Sequence, residues 1–297
     1  MLADRRFAVL AFVLLVLFWG SAFTTIKIAL GYSPPVLFAG ARMLLCGIVM
    51  GLAALMWGGE ANLQRDWPVY LLLTAFNVVG FMGLQILTIQ YMPSGSAAVV
   101  IYLQPILVGL LAFLILGEPL SAAKVVGLLL GFSGIVAVSA GSIFEGSLGT
   151  PLGVAFGVGS AVSWTLGTVY FKKYGDRLST LWSVAVPFVL GGVFLSGLGL
   201  MLEPYAAISW TGTFVASLLY TALAGTAFAW ALWLGLVKAG EASRVAAYVF
   251  FVPLVSILIG ALFLNEALSP SLLVGAALVV SGIYLVNRRS AEEEKAG

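Results

Sequence analysis

PILVGLLAFLILGEPLSAAKVVGLLLGFSGI at residues 105–135 and PLVSILIGALFLNEALSPSLLVGAALVVSGI at residues 253–283 are two copies of one segment, 148 positions apart. In register, Pro105, Leu110, Leu114, Leu116, Glu118, Leu120, Ser121, Val126, Gly127, Leu130, Ser133, Gly134 and Ile135 all recur, thirteen identities in 31 positions. Shared leucine richness alone would give fewer. Outward from these copies, each half of the chain holds five apolar spans. Five is odd, so the second half must cross a membrane in the opposite sense to the first. Inverted-topology repeats are a recurring plan of secondary transporters, with the substrate held between the halves near mid-bilayer.

Composition agrees with a membrane chain. Of 297 residues, 62% are hydrophobic and 9% charged, against roughly 25% charged in soluble domains. The charges sit in short connectors and leave apolar windows of about 20 residues, the length that spans the hydrocarbon as helix. The alternating segments of about ten residues that mark a membrane barrel are absent. The class is therefore an all-α integral membrane protein. Histidine is missing altogether, which removes the usual neutral-pH proton carrier and many metal sites, and no metal or cofactor is expected. Cys46, the single cysteine, lies in an apolar span and reads as a small packing residue. The basic residues are dispersed at span ends, so nothing points to nucleic acid. Arg5 and Arg6 before an apolar stretch resemble a signal peptide, but the stretch from Phe7 to Leu30 is too long for a signal core.

The pattern predicts ten helices near 7–30, 34–57, 69–91, 95–117, 122–142, 151–172, 178–202, 210–237, 243–264 and 269–287. Connectors are marked by Pro34-Pro35, Gly58-Gly59, Pro93-Ser94-Gly95, Gly149-Thr150-Pro151 and Glu203-Pro204. Residues 1–148 form one five-helix unit, 149–289 a second, inverted one, and 290–297 a polar tail expected to be disordered. With the N-terminus inside, Arg5, Arg6, Arg65, Lys124, Lys172, Lys173, Arg177, Lys238, Arg244, Arg288, Arg289 and Lys295 fall on the cytoplasmic side, and the external connectors hold no basic residue. Both termini are expected in the cytoplasm. The first helices of the halves also match, at a register of 145, pairing Trp19 with Trp164, Phe23 with Thr168 and Lys27 with Lys172.

The run FWGSAFTTIKIAL at 18–30, Arg42 in the second helix, and the duplicated Pro…Glu-x-Leu pattern closing the fourth and ninth helices resemble the drug/metabolite transporter superfamily. The resemblance is to proteins with two EamA-type domains and covers about residues 5–290. It implies ten helices in a five-plus-five inverted arrangement and the transport of small metabolites. Some bacterial members export amino acids, aromatic ones included, from the cell inner membrane.

Several residues carry two readings each. Pro105 and Pro253, near the middle of helices four and nine, either form a shared hinge around a central site or are simply tolerated in lipid. Glu118 and Glu266, at opposite faces, are gate latches or boundary residues that reach water. Asn77, Phe81 and Gln85 share one helical face, as a polar path or as interhelical glue. Trp19 and Trp164 lie nearer mid-depth, where an interfacial belt cannot explain them; with Phe23, Thr168, Trp230, Tyr102 and Tyr248 they would line an aromatic substrate site or pack the core. Lys27 and Arg42 are the embedded cations, about five to twelve ångströms deep, either meeting a substrate anion or snorkelling to the surface.

All twelve Asp and Glu residues fall at span ends, connectors or termini. The expectation is facilitated diffusion or exchange without a proton relay. The leading reading is an alternating-access exporter of small organic metabolites, amino acids with aromatic or hydrophobic side chains favoured. Its partners are that small molecule and membrane lipid, with no obligatory protein partner. The alternative is proton-coupled efflux of cationic amphiphilic drugs or other metabolites. An intramembrane lipid-modifying enzyme would need convergent acid, base or metal groups, which the sequence lacks, so the chain does not read as an enzyme. A receptor or scaffold would give the paired prolines no purpose.

Overall fold

The computed structural model describes residues 5–58, 61–92, 94–139, 150–264 and 271–288, all helix and connector with no strand among them. In chain order the helical runs are α1 (Arg5–Leu30), α2 (Pro35–Trp57), α3 (Leu63–Tyr91), α4 (94–116), α5 (Ala122–Val138), α6 (Pro151–Tyr174), α7 (Thr180–Leu202), α8 (Gly212–Ala239), α9 (242–264) and α10 (Ser271–Asn287). Among the described residues, α1, α2, α3, α4, α6, α7 and α8 hold stretches long and apolar enough to cross a membrane, while α5, α9 and α10 hold shorter apolar helices. Leu52, Leu55, Val193, Phe194, Leu200, Leu273, Val274 and Val280 are all exposed. An apolar belt of this kind is an aggregation hazard in water and the normal boundary of a protein in lipid. The chain is a multi-pass membrane protein.

Local chemistry sets the helix starts. The side chains of Asn62, Ser121, Thr150 and Thr211 accept from the backbone N–H groups of Arg65, Lys124, Gly153 and Phe214 at the starts of α3, α5, α6 and α8. The Asn62 cap begins α3 at Leu63 rather than near 69: hydrophobicity marks where the lipid begins, whereas the cap carries the helix on into water. At the other end of α4, Gly117 adopts φ +70°, the left-handed turn that lets a helix stop sharply and that glycine enters without steric cost.

Two helix pairs give the bundle its frame. Along α2 and α7, Leu37 lies against Gly199, Gly40 against Ser196, Leu44 against Gly192 and Gly47 against Val189. Numbers rise on one helix as they fall on the other, so the pair is antiparallel. Along α5 and α10, Gly127 lies against the carbonyl of Gly282 and Gly134 against that of Gly275. A Cβ at any of these glycines would meet the opposing helix, so small residues are what let the backbones approach, as is usual between helices in lipid.

Carboxylates fasten the ends. Glu203, just after α7, accepts from the N–H groups of Val36 (3.0 Å) and Leu37 (2.8 Å) at the start of α2. Glu118, just after α4, accepts from the N–H groups of Ala242 (2.6 Å) and Ser243 (3.1 Å) and from the Ser243 hydroxyl at the start of α9. Both satisfy orphan donors where the helix dipole is positive. Beside Glu118, the buried Lys124 ammonium donates to Glu241 (2.8 Å), the Ser243 hydroxyl (3.1 Å) and the Pro119 carbonyl (2.7 Å). Glu118 is therefore not a boundary residue reaching water: it is buried and serves a helix far along the chain.

Candidate functional site

A small buried chamber lies where α1, α2, α3, α4, α6 and α8 converge. From α1 come Trp19, Ala22, Phe23 and Ile26, spaced i, i+3, i+4 and i+7 and hence on one helical face. Arg42 comes from α2, Phe81, Met82 and Gln85 from α3, Ile101 and Tyr102 from α4, Trp164 from α6 and Gly225 from α8. Free space amounts to about 30 Å³, room for one or two waters and far below the several hundred Å³ of an open ligand pocket.

Three departures from regular helix meet at this chamber. In α3 the backbone makes π-helical turns over Thr74–Gly83, and in α8 over Leu223–Phe228. In α4, Ser94–Ile101 ends in a turn at Tyr102 and Leu103 before Gln104–Leu111 begins. Such irregular backbone survives in a membrane only where it is buried in protein or lines a cavity, and π-turns recur at functional sites. The Ser160 hydroxyl on α6 donates to the Phe81 carbonyl at 3.1 Å, helping to satisfy the loosened segment.

Pro105 does not kink a running helix. It occupies the first turn of the segment that starts at Gln104, where its missing N–H has no partner to lose. Pro253 is likewise early in Phe251–Leu264, just after a 3₁₀ turn at Tyr248–Phe250. The two breaks fall at corresponding points of the duplicated segments.

Around the chamber stands an aromatic layer. Trp19 lies 5.4 Å from Trp164, 5.6 Å from Trp233 and 6.3 Å from Trp230, ring centroid to centroid, and Phe81 stacks on Trp164 at 4.5 Å. The indole N–H groups of Trp164, Trp230 and Trp233 are buried with no acceptor among the described residues. Buried indoles usually find one.

Of the residues anticipated from sequence, Trp19, Phe23, Arg42, Phe81, Gln85, Tyr102 and Trp164 line the chamber. Others stand elsewhere. The helical stripe Asn77, Phe81, Gln85 is broken by the π-turns, whose wider pitch rotates Asn77 away to pack against Gly167 of α6, its Oδ1 without a partner. Thr168 donates to the Trp164 carbonyl of its own helix at 2.8 Å. Trp230 stands behind the chamber in the aromatic layer. Tyr248 stacks on Phe12 at 4.2 Å. Lys27 is exposed, so only Arg42 of the two cations is held inside. Glu266 and the tail 290–297 lie outside the described residues. Met82 and Gln104 carried no signal of their own: one is an ordinary apolar residue, and the other stands beside a proline that drew the attention. Gln104 is fully buried with neither amide atom bonded.

Arg42 is 3% exposed. Its Nη2 points at the Met82 sulfur (3.2 Å), its guanidinium sits 5.9 Å from the Phe38 ring centre, and its Nε has no partner. Among the described residues no carboxylate forms a salt bridge with it. A larger open depression of about 530 Å³ lies at the basic end of the bundle, where Asp66 pairs with Arg65 (3.0 Å) and Arg177 (3.5 Å). Its charges answer one another; those of the chamber do not. No group of three His, Cys, Asp or Glu among the described residues stands close enough to hold a metal.

Comparison with known proteins agrees with this architecture. Residues 6–140 and 151–288 each match the EamA-like transporter family. The chain is 42% identical over 292 residues to the “Uncharacterized transporter YvbV” of Bacillus subtilis, covering 98% of this chain and 94% of the relative. It is 28% identical over 295 residues to the “Probable amino-acid metabolite efflux pump” of Escherichia coli, covering 95% of each. A solved crystal structure at 23% identity superposes with a TM-score of 0.84 over 96% of this chain and 97% of its own, a likeness of fold.

Proposed function

Because the chain belongs to the EamA-like transporter family, we propose that it exports small organic metabolites by alternating access, with aromatic or hydrophobic amino acids favoured. Ten spans form two inverted five-helix halves, 1–148 and 149–289, with both termini in the cytoplasm of a cell whose inner membrane it crosses. The contact of Gly127 with Gly282, shifted by 148, becomes that of Gly275 with Gly134, and both occur. A contact set that maps onto itself under exchange of copies is the mark of a twofold relation, and the antiparallel course of α2 and α7 supports inversion.

The observation that carries the reading is the small buried aromatic chamber between helices of both halves. Trp19, Phe23, Phe81 and Trp164 offer apolar and π surface to a side chain. Arg42, Gln85 and Tyr102 offer polar groups to the backbone end of an amino acid. The name of the Escherichia coli relative supports the same class of cargo. Pro105 and Pro253 act as hinges on which the chamber opens to one side or the other. Family and relatives indicate a transporter rather than an enzyme.

The test is counterflow in proteoliposomes holding the purified chain, against amino acids, nucleosides, sugars, polyamines and quaternary ammonium compounds. Phenylalanine, tryptophan and leucine are expected to exchange, and charged amino acids to lag. Exchange of cationic amphiphiles alone would instead establish drug efflux, which a buried arginine disfavours by repulsion.

A further inference from the structure

We propose that Arg42 reads a carboxylate on the cargo, and that this carboxylate is the counter-charge the chamber needs in order to reorient, so that exchange far outruns one-way release. The inference rests on the transporter reading above and names both its substrate class and its mode.

An arginine stays charged inside proteins, and a charge at membrane depth is costly unless it is paired or hydrated. The Arg42 guanidinium is buried against a thioether and an aromatic ring, with its Nε unbonded. Of the protein's described acids, four are engaged elsewhere, and the fifth, Asp176, lies in the turn between α6 and α7. Glu118 and Glu203 hold the starts of α9 and α2; Glu241 pairs with Lys124 and Arg244, and Asp66 with Arg65 and Arg177. The indole N–H groups of Trp164, which lines the chamber, and of Trp230 and Trp233 in the aromatic layer also lack acceptors among the described residues. Among the buried described atoms without a partner, donors outnumber acceptors five to two, Asn77 Oδ1 and Gln104 Oε1 being the two acceptors, so the complementary ligand brings acceptor oxygens.

A mode of action follows. With about 30 Å³ of free space, the chamber closes on too little water to hydrate a guanidinium. Closing empty strands the charge; closing on a carboxylate pairs it, and a bidentate guanidinium–carboxylate contact is among the strongest available to a side chain. The empty carrier therefore reorients slowly and the loaded one quickly.

Three compounds sharing one ring separate the charges: L-phenylalanine, 3-phenylpropionate (carboxylate only) and phenethylamine (ammonium only). Binding is read from tryptophan fluorescence of the full chain in detergent, and transport from labelled phenylalanine in proteoliposomes. The expectation is that 3-phenylpropionate binds and competes while phenethylamine does not, and that internal phenylalanine accelerates uptake by about tenfold or more. Arg42→Gln abolishes 3-phenylpropionate binding and the acceleration, and Arg42→Lys restores part of both. Phenethylamine competing as well as 3-phenylpropionate, neither compound binding, or release into empty medium as fast as exchange would overturn the proposal. These wild-type readouts decide even if Arg42→Gln fails to fold. Failure of the amino-acid reading shows separately, as 3-phenylpropionate binding without counterflow of any amino acid.

Discussion

Glu118 ends one helix and begins another. Its carboxylate takes the Ala242 and Ser243 N–H groups and the Ser243 hydroxyl, doing from a distance what a capping residue does locally. Glu118→Ala leaves these buried donors unsatisfied, at a cost of about 1–3 kcal/mol each way the site is rebuilt. The thermal midpoint in detergent is expected to fall by several degrees, with Glu118→Gln lying between Ala and the native protein; an unchanged midpoint would mean that water replaces the carboxylate. The same residue could not be interpreted from sequence alone. Its position at a span end suggested a latch or a boundary, but no local pattern names a partner 124 residues away.

At the scale of elements, the irregular segments converge. The π-turns of α3 and α8 and the break in α4 bring Phe81, Tyr102 and Gly225 to one small volume. A regular helix holds its hydrogen bonds rigidly, so flexing concentrates where the ladder is already interrupted. Pro105 marks such an interruption, and Pro105→Ala removes the residue that keeps Ser94–Ile101 and Gln104–Leu111 from joining. Counterflow is expected to slow several-fold while substrate binding, by tryptophan fluorescence, stays within about twofold. Equal losses in both would assign the proline to substrate contact rather than to movement. The break itself was foreseeable from the paired prolines. The π-turns were not, because they depend on neighbours such as Ser160 that accommodate the loosened backbone.

For the whole molecule, the basic residues collect at one end of the bundle, where Lys124, Lys172, Arg177, Lys238 and Arg244 make their contacts with connectors and helix ends. By the positive-inside rule, that asymmetry predicts the basic end to face the cytoplasm. In a Cys46→Ala background, a cysteine at Ser209, in the connector between α7 and α8, is expected to react with a membrane-impermeant maleimide applied to intact cells. A cysteine at Ser179, between α6 and α7, is expected to react only after the membrane is opened. The reverse pattern would invert the assignment of the faces.

Helical class, membrane location and duplication were determined by the sequence by itself, because each is a sum over many residues: hydrophobic length, charge asymmetry and identity at a fixed offset survive error at any one position. Most chamber residues were legible for a related reason, since a tryptophan or an arginine inside an apolar span stands out against its surroundings. What only the tertiary structure decided is pairing. It brought Glu118 to α9 and Glu203 to α2, turned Asn77 away from the chamber that Phe81 and Gln85 line, left Lys27 outside, and set Arg42 inside with no described acid beside it. Contacts between residues more than a hundred positions apart depend on how helices approach and rotate, and the pattern within one helix carries no record of its partner.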